Sequence, residues 1–176
     1  MPVETPDNKH GREAATASQS LAGKFMTFKL DREEYGIGIL NVREIIGMMD
    51  VTRVPMVEHF VSGVINLRGR VIPVVDLRMK FAMDAIQPTD QTVIIVVQCT
   101  SDGKETNIGV LVDEVVEVVD FPAAQIEPPP NFESSASSTE FILGVGKLDE
   151  RVVFLLDICK VLCAGGMDPF ASLGAE

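Results

Sequence analysis

Residues 61–76 read VSGVINLRGRVIPVVD, and this stretch decides the fold. Two runs rich in Val, Ile and Leu flank Arg68-Gly69. A two-residue break of this kind suits a tight hairpin turn, with Gly69 taking a positive φ at little steric cost. Both faces of the two runs are apolar, so the strands belong inside a barrel rather than on a half-solvated sheet. Pro73 brings no backbone N–H, and the reading therefore expects an edge or a bulge there. Leu77 to Phe81 then suits a short helix.

Upstream, Met26, Phe28 and Leu30 alternate with Thr27 and Lys29, the period of a strand. Asp31 to Glu34 make a turn, and Tyr35, Ile37 and Ile39 alternate with Gly36 and Gly38, which completes an opening hairpin. Val42, Ile45 and Ile46, with Arg43 and Glu44 between them, fit a helical turn or a bent strand, and the pattern does not choose. Downstream, Thr92 to Gln98 is a buried strand, Ser101 to Lys104 a hairpin turn, and Asn107 to Val112 and Glu114 to Asp120 are further strands. Pro122 and Pro128 to Pro130 break the pattern, and the Ser-rich stretch 131–140 is a polar loop. Phe141 to Leu148 and Arg151 to Asp157 form a last hairpin, closed by a helical turn from Lys160 to Cys163. The polar, aperiodic residues 1–22 are expected to be a disordered tail. An ordered domain spans 23–164, and 165–176 form a flexible end.

The chain resembles itself. Residues 60–81 align with 141–162 at an offset of 81, and seven of the twenty-two pairs are identical. These include Phe60/Phe141, Gly63/Gly144, Arg70/Arg151 and Asp76/Asp157. Average composition gives roughly one or two by chance. Residues 35–47 align with 108–120 at an offset of 73, matching Gly36/Gly109, Val42/Val115 and Glu44/Glu117. The change of offset, 81 − 73 = 8, is a longer loop in the second copy, supplied by the Ser-rich stretch. The fold class is therefore all-β: two tandem β-barrels of about five strands each, SH3-like or OB-like, with short helical turns. Each half alone buries little, so the two are expected to pack together, with exchange of strands allowed.

With 176 residues, a net charge of −11 and a pI near 4.6, the chain is repelled by phosphate backbones and by anionic membrane surfaces. Aromatic residues are only 6%, which opposes a base-stacking OB module, so no nucleic acid is expected. No run approaches the ~20 apolar residues of a spanning helix, and no direct membrane insertion is expected. Cys99, Cys159 and Cys163 are an odd set without a disulfide framework, which favours a reducing cytosol. Cys159 and Cys163 can share a helical face, but no further Cys or His completes a tetrahedral metal site, so they read as buried thiols. His10 and His59 are far apart and no serine has a base partner. Gly144-Val145-Gly146-Lys147 lacks the upstream Gly and the following Ser or Thr of a phosphate loop. Asp76 and Asp157 sit at equivalent strand ends; each suits a cap on the helical turn that follows, the alternative being a catalytic carboxylate pair. The expectation is a protein with no catalytic residue, no metal and no cofactor.

YGIGILNVREIIG (35–47), TRVP (52–55) and FVSGVINLRGRVIPVVDLRMKF (60–81) together resemble the core of CheW-like domains. The likeness continues through TVIIVV, IGVLVDEVVEVV and FILGVGKLDERVVFLLDI and covers about residues 23–164. The resemblance implies a pair of β-barrels. It also implies a stand-alone cytoplasmic adaptor at membrane-associated chemoreceptor arrays, since no kinase, phosphotransfer or receiver domain accompanies the likeness. One barrel would join the related regulatory domain of the CheA histidine kinase. The groove between barrels would take the cytoplasmic helical tip of a methyl-accepting chemoreceptor. By family correspondence Val42, Glu44, Gly63, Arg68 and Val93 match partner-contact positions, without a division between receptor and kinase.

Overall fold

The computed structural model describes residues 23–101, 103–129 and 141–163. The expected tails 1–22 and 165–176 and the Ser-rich loop 131–140 lie outside the described residues. The elements in chain order are β1 (Gly23–Leu30), β2 (Glu33–Gly38), β3 (Val42–Gly47), β4 (Val61–Leu67), β5 (Arg70–Asp76) and α1 (Leu77–Lys80). Then come β6 (Val93–Ser101), β7 (Lys104–Val112), β8 (Glu114–Phe121), β9 (Ile126–Glu127), β10 (Ile142–Leu148), β11 (Arg151–Leu156) and α2 (Ile158–Cys163). The ambiguous segment from Val42 to Ile46 is the bent strand of its two options, β3 with a bulge at Arg43, and a 3-10 turn at Ile39–Asn41 precedes it.

The strands form two sheets, β8-β1-β2-β11-β10-β9 and β3-β6-β7-β5-β4. Each curls around its own core. Phe121 of β8 and Ile126 of β9, from opposite ends of the first sheet, share a cluster with Phe25, Val153 and Leu155. In the second sheet Ile46 of β3 packs on Ile65 of β4, together with Ile72, Val74, Ile94 and Val96. The largest cluster lies between the barrels and joins Met26, Phe28, Leu30 and Ile37 to Val61, Val75, Ile95, Val97, Ile108 and Val110. Strand β6 thus buries Ile94 and Val96 inside its barrel and Ile95 and Val97 against the other one. That is the physical reason its sequence is apolar on both faces.

The duplication is present, and its copies are interlaced. Pairing β2 with β11 places Gly36 opposite Leu155; pairing β7 with β5 places Gly109 opposite Val74. Gly36 and Gly109 are equivalent at the offset of 73, and Val74 and Leu155 at 81. Each glycine therefore meets the strand of the other copy. The bulges are equivalent too, Arg43 with Val116 and Ser62 with Leu143. The second barrel is the contiguous stretch β3–β7, and the first is built from β1–β2 and β8–β11 around it.

Pro73 lies in an inner strand, yet β5 begins to pair with β7 only at Val74, and Pro73 faces Val64 of β4. Its missing N–H is placed before that ladder starts. Asp76 caps α1, accepting from Arg78 N at 3.0 Å and Met79 N at 3.4 Å, and Asp157 accepts from Lys160 N at 3.2 Å. The two carboxylates are helix caps on separate barrels, as the spacing predicts.

The cysteines depart from expectation. Cys99 of β6 and Cys159 of α2 are joined as a disulfide, with Cα atoms 5.5 Å apart. The four-residue spacing draws attention to Cys159 and Cys163, whereas the fold turns Cys159 toward a strand 60 residues earlier. A second link between the barrels is ionic. Asp113, just past β7, receives the Arg78 guanidinium, accepts Asp31 N–H at 2.7 Å and donates its own N–H to Lys29 O at 3.1 Å.

Candidate functional site

The turn between β4 and β5 sets the position of one side chain above all. Arg68 has φ +52 and Gly69 φ +84, so both central residues are left-handed, the geometry of a type I′ hairpin turn. The Asn66 carboxamide oxygen accepts Gly69 N–H at 2.9 Å and steadies the turn. An arginine is an unusual occupant of this conformation, and backbone strain of this sort gathers at working sites.

From that turn Arg68 reaches Glu44 of β3. The guanidinium donates to both carboxylate oxygens, Nη1 to Oε2 at 2.9 Å and Nη2 to Oε1. This fork joins β3 and β4, the two ends of the five-stranded sheet, across the mouth of the barrel. Hydrogen bonding to Glu44 and its charge raise the guanidinium pKa above the ordinary arginine value, so it stays ionised. Arg68 is 73% exposed and Glu44 27%, which leaves donors and acceptors facing solvent. In the other copy Glu117, the equivalent of Glu44, meets Arg151 instead, at 2.9 Å, and Arg151 also reaches Glu34 at 3.2 Å. Asp149 stands where the repeat places Arg68. The exposed fork is thus a property of one barrel and gives an otherwise repeated molecule a distinct face.

The expected site residues do not form one cluster. Glu44 and Arg68 are in direct contact, and Val42 lies two residues along the same strand, partly buried against the inter-barrel core. Val93 pairs with Gly47 while Val42 pairs with Val97, so the two valines sit at opposite ends of the β3–β6 ladder. Gly63 is buried on β4 with φ +143, and a Cβ there would lie 2.1 Å from Thr52 O. The absent side chain lets the 51–52 segment pass, with Thr52 bridged to Val64.

Three residues escape the sequence reading. Leu40 of the 3-10 turn is 90% exposed, and Ile45 of β3 and Met48 just after it are also exposed. The bulge at Arg43 shifts the alternation, so that Glu44 and Ile46 pair with inward-facing Val96 and Ile94 while Ile45 stands outside. Beneath Leu40 opens a cavity of about 440 Å³ lined by Phe25, Ile39, Asn41, Leu143, Asp157 and Cys159 among others. Apolar side chains offered to water beside a charged fork are the composition of a docking patch.

A second cavity, about 420 Å³, is lined by Arg53, Glu58, His59, Ser62 and Asp76 with apolar neighbours. Burial pushes the Asp76 carboxyl above the usual aspartate range, against the opposing pull of its hydrogen bonds to Met79 and Arg78 N–H. That carboxylate is engaged as the α1 cap. Among the described residues no group of three or more His, Cys, Asp or Glu side chains is placed to hold a metal ion, and no helix is long and apolar enough to cross a membrane.

The CheW-like domain family model matches residues 24–164. The chain is 40% identical over 151 residues to the chemotaxis protein CheW of Klebsiella aerogenes, covering 86% of this chain and 88% of that one. It is 33% identical over 139 residues to the chemotaxis protein CheW of Helicobacter pylori, covering 79% and 81%. Its structure is similar to the crystal structure of the scaffolding protein TtCheW from Thermoanaerobacter tengcongensis, with a TM-score of 0.72 and 30% identity, over 84% of this chain and 97% of the other.

Proposed function

The chain belongs to the CheW-like domain family, and from that premise we propose that it is a chemotaxis scaffold that couples chemoreceptors to the CheA histidine kinase without chemistry of its own. The observations that carry this reading are the solvent-facing Glu44–Arg68 fork and the exposed apolar side chains Leu40, Ile45 and Met48 on the same stretch of chain as Glu44. An apolar strip beside a bidentate charged pair gives a helical partner both a groove to fill and polar groups to align it. The interlaced barrels supply stiffness. Two docking surfaces on one packed body hold receptor and kinase in fixed relative geometry, so a change in one partner biases the other.

In the finer form of the proposal, the chemoreceptor's cytoplasmic helical tip docks near Val42, Glu44 and Arg68, and the regulatory domain of CheA meets a barrel surface. Cytoplasmic placement at receptor arrays follows from those partners. Pull-downs of this protein with the CheA regulatory domain and with a receptor signalling fragment, followed by kinase assays with and without it, test the reading. Binding to both fragments and receptor-dependent change in kinase activity are the expected results. Failure to bind either fragment, or turnover of a substrate by the purified protein alone, overturns it.

A further inference from the structure

The disulfide between Cys99 and Cys159 adds a covalent link between elements of different barrels. Cys99 belongs to β6 of the contiguous barrel; Cys159 belongs to α2, which follows β11 of the other barrel. Their Cα separation of 5.5 Å lies within the range a disulfide spans. Helix α2 places Ile158, Val161 and Leu162 in the inter-barrel core and is the last described element. The two sulfurs differ in access. Cys99 is 5% exposed, whereas Cys159 is half-buried and lines the open cavity beneath Leu40. The Gln98 carbonyl oxygen lies 4.0 Å from Cys159 Sγ.

We propose that Cys99 and Cys159 are a reversible thiol–disulfide pair that fastens α2 across the seam between the barrels, with Cys159 as the entry thiol and Cys99 as the resolving thiol. The reactant class is a low-molecular-weight disulfide, RSSR. The Cys159 thiolate attacks one sulfur of RSSR and forms a mixed disulfide, releasing RS⁻. The Cys99 thiolate then attacks Cys159 Sγ, forms the protein disulfide and releases the second RS⁻. Two protein thiols are oxidised, one RSSR is reduced to two RSH, and the two thiol protons pass to the leaving thiolates. The cavity admits the small reactant to Cys159, and burial keeps it from Cys99. The inference is independent of the scaffold reading, since it concerns only this chain and a small disulfide.

The test uses the full chain carrying Cys163→Ser, reduced, freed of reductant and exposed to oxidised glutathione. Aliquots are blocked with N-ethylmaleimide and mapped by peptide mass. The expected product is an intramolecular 99–159 linked peptide, and the oxidised protein melts about 10 °C above the reduced one, the scale for closing a loop of this length in a chain of this size. Adding Cys99→Ser should arrest the reaction as a glutathione adduct on Cys159; adding Cys159→Ser should leave Cys99 as a free thiol over the same period. The wild-type chain, treated in parallel, should yield the same linked peptide. Adducts forming first on Cys99, a disulfide between two chains, or glutathione adducts that never resolve would each overturn the proposal.

Discussion

Arg68 is held in a left-handed backbone and paired to Glu44, and the two facts together suggest a side chain aimed rather than merely solvated. Arg68→Glu sets two carboxylates face to face at the barrel mouth. It should weaken capture of the partner in a pull-down while leaving the melting temperature nearly unchanged, because the position is exposed. The charge swap Glu44→Arg with Arg68→Glu rebuilds the fork; if partner binding stays lost, the partner reads the guanidinium itself. Gly63 predicts the opposite balance. Gly63→Ala drives a Cβ into Thr52 O at an unfavourable φ and should cost about 2–4 kcal/mol in urea unfolding. At this scale the sequence was half legible. Glu44 and Arg68 were reachable through resemblance, but Leu40, Ile45 and Met48 were not, since Leu40 and Met48 flank β3 and the Arg43 bulge decides which face Ile45 takes.

Among the elements, the caps are the most direct test. Asp157→Ala removes the acceptor of Lys160 N–H and should cost about 1 kcal/mol of stability by denaturant unfolding. Asp76→Asn keeps an acceptor oxygen for α1 but removes the buried charge. Burial raises the Asp76 pKa in the folded state, so the native protein holds this proton more tightly than the unfolded chain does. The stability tied to this group is full below the unfolded value of 3.8 and lost as pH rises through the raised folded value. The Asn variant should therefore match or exceed wild type at neutral pH, with its advantage shrinking as urea titrations move to lower pH. The helical turns and most strands could be read from alternation and turn residues. Strand β9 could not: two residues, Ile126–Glu127, between prolines carry no period, and they become a strand only because Gly144 lets them approach β10.

For the molecule as a whole, interlacing means that neither repeat is a folding unit. β2 pairs with β11 and β5 with β7 across the two copies, and β1 pairs with β8 and β3 with β6 over similarly long stretches of chain. Cutting the chain in the exposed 84–91 stretch should give two fragments with no cooperative unfolding transition alone, and mixing them should restore the native circular dichroism spectrum. Asp113→Ala leaves the buried Arg78 charge without its carboxylate and should cost about 3 kcal/mol, read as a lower urea midpoint. Identity at fixed offsets revealed which segments are alike, as Gly36/Gly109 and Asp76/Asp157 do. It did not reveal which copy each strand would join, because an equivalent partner exists in both.

Interlacing also orders events on the ribosome. The hairpin β1–β2 emerges early, yet Glu34 must wait for Val153, 153 − 34 = 119 residues later, before β11 lies beside it. The contiguous barrel is complete once Val112 has been synthesised. During translation it would display the Ile95, Val97 and Val110 face, and the waiting hairpin is the nearest apolar surface able to cover it. Whatever slows elongation after Val112 therefore lengthens the life of a half-built nascent chain whose largest greasy face rests on a single hairpin.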